Sequence, residues 1–142
     1  MTQLDVSLLD QPIPAAPQSF ADEAGGIVDF WGVVRGVEAG RAICGIEYEA
    51  HRSMAEHQLR AIADEAAREF ALEELILRHR IGFVAVGEAS LFLRVGSRHR
   101  AAAFQASAWI VDELKKRATI WKHPRFVSGD EAMRKTAAAT PL

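Results

Sequence analysis

Leu59, Ile62, Ala63, Ala66 and Phe70 recur at i, i+3, i+4, i+7 and i+11, a spacing that commits the middle of the chain to one amphipathic helix. Ser53 marks its start, with Glu56 three residues on in capping-box spacing. A second long helix follows Ser97 and runs to about Arg117. Phe104, Ala108, Val111 and Leu114 form its expected buried face. Asp112–Lys116 and Glu113–Arg117 are i,i+4 pairs in the favourable order on its exposed side.

Short apolar runs flank these helices. Residues 4–9 alternate weakly and read as an edge strand. Pro12, Pro14 and Pro17 then interrupt regular structure until a short helix expected near Ser19–Ala24. Ile27–Arg35 is rich in β-branched residues, and Gly36 and Gly40 bracket a turn into Ala42–Glu49, the returning strand of a hairpin. Leu75–Ile81 and Ala89–Gly96 give two more strands, with a short extended piece at Phe83–Val86 between them. Strand pairs joined by hairpins as well as crossovers predict an α+β fold with a mixed, largely antiparallel sheet. One domain over residues 1–128 is expected. Residues 129–142, ending in an Ala/Thr-rich stretch without periodicity, read as a mobile tail.

A net charge of -2 leaves no basic excess to steer the chain towards nucleic acid. No stacking-aromatic platform suggests RNA binding. The single cysteine, Cys44, excludes an internal disulfide and fits a cytosolic setting. Sharing a strand face with Ile46 and Tyr48, it reads as a small core residue. No apolar run approaches the ~20 residues needed to cross a bilayer, and Met1–Asp5 lacks the features of a signal peptide. The five histidines form no HExxH or Cys/His cluster, so no metal site is expected. The glycines lack nucleotide-loop spacing.

The cations carry the chemical signal. Arg35 ends an apolar strand, and a solvated strand end is its ordinary reading. His99 and Arg100 sit in the first turn of the second helix, where unpaired N–H groups and the helix dipole favour an anion. Cations in a first turn are mildly unfavourable, so an anion site and a plain surface stand about even there. Lys115 has Val111 at i−4, and so lacks the carboxylate that Lys116 and Arg117 have. Lys122 follows an Ile120-Trp121 anchor. A lysine held against apolar surface loses solvation and becomes suited to proton transfer or imine-type chemistry. On spacing alone, ordinary surface lysines remain the commoner case.

Four blocks, read in order over roughly residues 5–126, resemble one family. Gly26-Ile27-Val28-Asp29-Phe30-Trp31-Gly32-Val33-Val34-Arg35 is similar to the G-x-x-x-F-x-G-x-V-R segment of the molybdopterin synthase large subunit. Glu47-Tyr48-Glu49 with Met54-Ala55-Glu56, and His79-Arg80-Ile81-Gly82 with Val86-Gly87-Glu88, resemble its next two. Ser97–Phe104 continuing through Asp112–Arg117 to Ile120-Trp121-Lys122 is the fullest match.

The resemblance implies an α/β hammerhead-type fold and a homodimeric core that binds a small ubiquitin-like sulfur carrier at each end. The carrier's C-terminal Gly-Gly thiocarboxylate would deliver sulfur to cyclic pyranopterin monophosphate without a metal or redox cofactor. Matched position by position, it makes Lys115 and Lys122 the catalytic lysines. Arg35, His99 and Arg100 match residues lining an anion pocket, and Phe30 an aromatic beside the carrier tail. The chain departs from the pattern in three places. Thr119 stands where the family usually has Pro, Lys122-His123-Pro124 lacks the usual carboxylate two residues after the lysine, and Gly129-Asp130-Glu131-Ala132 lacks the tail tryptophan. A non-catalytic carrier- or pterin-binding module of the same fold is the alternative reading.

Overall fold

The computed structural model describes residues 2–127 and 140–142. The two long helices share one face of a four-stranded sheet. β1 (Gln3–Leu9), β5 (Glu74–Arg80), β7 (Ala89–Ser97) and β2 (Gly26–Val33) lie side by side in that order, β1 parallel to β5 and the other pairs antiparallel. Helix α1 (Arg52–Glu69) lies over β1 and β5, and α2 (Arg100–Arg117) over β7 and β2. Leu59, Ile62, Ala63 and Ala66 of α1 meet Leu75, Leu77, Leu93 and Val95 of the sheet in a core closed to solvent. Each large apolar side chain buried there contributes about 2 kcal/mol, and this packing of one apolar face supplies most of the helices' stability.

A second sheet carries the rest of the chain. β4 (Arg41–Ala50) is its axis, pairing with β8 (Ile120–Phe126) along one edge and with β3 (Val37–Glu38) and β6 (Gly82–Ala85) along different stretches. β9 (Thr140–Pro141) adds to the outer edge of β8. The architecture is α+β with mixed, largely antiparallel pairing. The mobile tail expected over 129–142 falls mostly outside the described residues, but Thr140 and Pro141 are strand-paired to Lys122 and Trp121.

Several local expectations are corrected. Ser19–Ala24 forms no helix: only a turn closes between Ala21 and Ala24, because the segment is recruited to the sheet. There the Ala21 N–H donates to the Glu74 carboxylate at 2.7 Å, and Phe20 lies over Arg94. β2 does not return into β4. The tight hairpin is β3–β4, turned by Ala39 and Gly40, both at positive φ (52° and 74°). A two-residue loop with that backbone matches the twist of its strands. Helix α1 is capped by His51, whose Nδ1 accepts from the Met54 N–H, while Glu56 pairs with Arg52 at 3.2 Å.

Cys44 is exposed rather than in the core. A register shift between Ile43 and Gly45 turns it outward while Ile46 and Tyr48 stay buried. On α2 the buried face is Ala103, Ala106, Ile110 and Leu114, and Phe104 is 60% exposed. Leu114 is buried as expected, whereas Phe104 and Ala108 are exposed and Val111 is half-buried, the real stripe running through Ala103, Ala106 and Ile110. Alanines fill the N-terminal half of this face, where the helix approaches the sheet closely: a Cβ on Gly26 would stand 2.9 Å from the Arg100 Cα. β8 was not anticipated. Pro124 sits in it opposite Ile46, beyond the stretch that β9 covers.

Among the described residues, no helix covers the far face of the first sheet, and a fully buried cation lies there. Arg94 on β7 makes a paired hydrogen bond to the Asp29 carboxylate on β2, at 2.7 and 2.8 Å, and is 1% exposed. Phe92 beside it packs against Trp31. His79, at the far end of β5, is also buried. Its Nδ1 lies 2.8 Å from the Arg80 carbonyl, and Tyr48 meets its ring edge-on. Burial pushes the imidazole from its ordinary 6.5 down to about 4, the Arg80 carbonyl opposing only in part.

Arg94→Met leaves Asp29 partly desolvated without its partner and should cost roughly 3 kcal/mol in urea unfolding, whereas Arg94→Met with Asp29→Leu should recover most of it. A double variant no more stable than the single one would refute the pairing as the cause. For His79, the unfolded chain binds a proton near pH 6.5 and the folded chain only near 4. Stability is therefore complete above about pH 6.5 and is lost as pH falls towards 4, by about 3 kcal/mol in total. Unfolding free energies of wild type and His79→Gln from urea titrations, compared across that window, should diverge by this amount; parallel curves would refute it.

Candidate active site

The C-terminal end of α2 stands where the two sheets meet, and a cavity of about 230 Å³ opens beneath it. Each wall comes from a different element. β2 supplies Phe30 and Gly32, β4 supplies Tyr48, β5 supplies His79, and β7 supplies Ser90 and Leu91. α2 closes it with Val111, Leu114 and Lys115, and β8 contributes Lys122. Leu142 reaches the same cavity from β9's end.

The two lysines are placed by apolar neighbours. Leu114 is buried in the core, so the next residue on the helix, Lys115, is presented at the cavity's rim. Lys116 and Arg117 are drawn aside to Glu113, and Arg117 also to Glu65, while Lys115 has no ion-pair partner among the described residues. Ile120 is likewise buried at the start of β8, and Lys122 faces Tyr48 across the β4–β8 ladder. The turn between α2 and β8 is fixed from α1: the Gln58 side-chain oxygen accepts from both the Thr119 N–H, at 2.7 Å, and its hydroxyl, at 2.9 Å. Proline at 119 would lack that N–H, so Thr119 brings its own anchor.

The floor is polar but uncharged. Burial raises the Tyr48 phenol above its ordinary value; its hydrogen bond with Ser90 opposes this and the negative charge of Glu38 adds to it. His79 is neutral at pH 7, and its bond to the Arg80 carbonyl assigns the proton to Nδ1. A cavity with a neutral hydrogen-bonding floor and two lysines at its edge can hold a carbonyl-ended chain and stabilise negative charge developing there.

Of the residues singled out by sequence, Phe30, Lys115 and Lys122 are brought together here. Arg35 is exposed in the loop after β2 and does not line the cavity. His99 caps α2 without a side-chain hydrogen bond, and Arg100 opens it, both exposed. They lie sixteen and fifteen residues before Lys115, at the opposite end of the helix and about 22 Å or more away along its axis. One chain therefore does not unite them with the lysines. Tyr48, His79 and Ser90 were missed as lining residues because three separate strands contribute one each, a convergence without sequence spacing. A larger groove of about 470 Å³, between Phe70 and Trp109, is flanked by Glu65, Arg68 and Glu69 and offers no comparable set.

Among the described residues, no group of three His, Cys, Asp or Glu could hold a metal ion, and no helix is long and apolar enough to cross a membrane.

Comparison with known proteins places the chain in a family. Residues 7–117 match the family model described as MoaE protein. The chain is 42% identical over 102 residues to the molybdopterin synthase catalytic subunit of Pyrococcus abyssi, covering 72% of this chain and 69% of that one. It is 35% identical over 130 residues to the protein of the same name from Synechococcus elongatus, covering 90% and 79%. The crystal structure of molybdopterin synthase from Staphylococcus aureus superposes with a TM-score of 0.79 at 28% identity, over 86% of this chain and 91% of that one. With the family model spanning most of its length and its relatives agreeing in name, the chain belongs to the MoaE family, that of the molybdopterin synthase catalytic subunits.

Proposed function

We propose that this chain is the catalytic subunit of a molybdopterin synthase. It transfers sulfur from the thiocarboxylated tail of a small ubiquitin-like carrier to cyclic pyranopterin monophosphate, forming the dithiolene of molybdopterin. The observation that carries the reading is the convergence of Lys115, Lys122 and Phe30 on one cavity. The word "subunit" in the relatives' name implies a partner chain, and an extended Gly-Gly tail, having no side chains, suits a narrow cavity of this size.

Lys115, without a carboxylate partner among the described residues, would stand beside the carrier's terminal carbonyl. The thiocarboxylate sulfur bonds to a pterin carbon, opening the cyclic phosphate and joining carrier to pterin as a thioester. When water adds to that thioester, negative charge grows on the carbonyl oxygen, where a nearby ammonium stabilises it or passes a proton. Collapse breaks the acyl C–S bond, leaving sulfur on the pterin and the carrier as a carboxylate. Lys122 would hold the pterin substrate and the anionic intermediate. Phe30 would pack against the tail. Arg35, His99 and Arg100 would serve the substrate's phosphate, guanidinium groups binding it through paired hydrogen bonds. The ~22 Å along α2 means that His99 and Arg100 can reach such a site only from a second copy, so the reading requires a homodimeric core. Both sulfurs come from the carrier, and the reaction as proposed uses no metal or redox cofactor and runs in the cytosol.

The test is single-turnover conversion of cyclic pyranopterin monophosphate by this chain with thiocarboxylated carrier. Lys115→Ala should lower the rate by roughly 100-fold or more while leaving carrier binding unchanged. A folded wild type that binds the carrier but makes no product would leave only the non-catalytic binding module.

A further inference from the structure

We propose that Glu38 is the positioning residue of Lys122. The inference rests on the reading of Lys122 given above and adds a partner to it. β8 lacks a carboxylate near this lysine, since His123 and Pro124 follow it. The structure supplies one from elsewhere in the sequence: the Glu38 Oε1 lies 3.6 Å from the Lys122 Nζ.

The pairing follows from strand alternation. His123 and Arg125 take the other face of β8, where β4 offers them Glu49 at 3.0 Å and Glu47 at 4.0 Å. Those two carboxylates are therefore committed away from the cavity. Lys122 shares its face with Tyr48, and Glu38 comes to that face from the β3–β4 hairpin, its charge also acting on the Tyr48 phenol. The turn at Ala39 and Gly40 fixes where β3 ends and so where Glu38 points. Both partners are largely shielded, at 24% and 28% exposure, so the pair is screened less than an ordinary surface bridge.

A lysine on a long flexible stem occupies many rotamers. Glu38 restricts Lys122 to the cavity edge before substrate arrives. An anionic substrate then competes with the carboxylate for the same ammonium. Loss of the carboxylate should accordingly lower kcat through misplacement of Lys122, without raising KM for the phosphorylated substrate.

The experiment has two arms on the full chain. In the first, acetylation of each lysine by N-hydroxysuccinimidyl acetate is followed by mass spectrometry, with Lys116, exposed and paired to Glu113, as internal reference. Glu38→Gln should raise labelling of Lys122 relative to Lys116 about threefold, and Glu38→Asp should stay near wild type. In the second, turnover with thiocarboxylated carrier should show kcat down roughly tenfold in Glu38→Gln, KM unchanged or lower, and most of the rate recovered in Glu38→Asp. An unchanged labelling ratio overturns the proposal, and so does faster labelling with unaltered kcat. Wild-type turnover by Lys122→Ala would instead remove the catalytic role of Lys122 itself, while the labelling ratio would still report whether Glu38 holds it.

Discussion

The close approach of α2 to the first sheet is the contact on which the site depends. Ala103, Ala106, Ile110 and Leu114 line the helix's inner face, and glycine at Gly26 lets the strand pass under the helix's first turn. Larger residues on that face would lift the helix, because packed interiors have no spare volume to absorb them. The position of Leu114 is thus set by the whole length of the helix. Lys115, one residue further, is placed over the cavity as a consequence.

The second lysine is placed by a different construction, an antiparallel ladder. β4 and β8 pair from Ile43–Phe126 to Ala50–Ile120, and a single-residue slip would exchange the faces of Lys122 and His123. Buried Ile120 and Phe126 at the two ends resist that slip. Gln58 of α1 joins the two constructions by holding Thr119 in the turn between them. A helix end and a strand face, each independently fixed, thereby present two ammonium groups to one cavity.

Polar burial is divided between the two faces of the first sheet. On the outer face, Arg94 stays charged because Asp29 accepts two of its hydrogens and Phe20 covers its plane. On the cavity side, His79 gives up its charge instead, having only a backbone carbonyl as partner. Among the described residues, the charged side chains lining the cavity are therefore the two lysines, Lys122 with Glu38 as its partner, above a floor of neutral Tyr48, His79 and Ser90.

Periodicity alone determined a good deal of this protein. The stripe of α1, most strand positions and the α+β class all rest on local repeats that burial enforces residue by residue, so they are legible in a line of text. Motif resemblance pointed to Phe30, Lys115 and Lys122, which the fold gathers in one place. What the sequence could not decide were matters of register and partnership. A helix at Ser19–Ala24 lost to the pull of Glu74 and Arg94, residues more than fifty positions away. The bulge that exposes Cys44 and the packing that exposes Phe104 turn on a neighbouring strand and a close backbone contact, neither of which leaves a local pattern. The Glu38–Lys122 pair spans 84 positions and needs two strands to be folded before either charge can find the other. Only the tertiary structure could choose among the carboxylates on offer, because strand alternation assigns each to a face and a face exists only once the sheet is built.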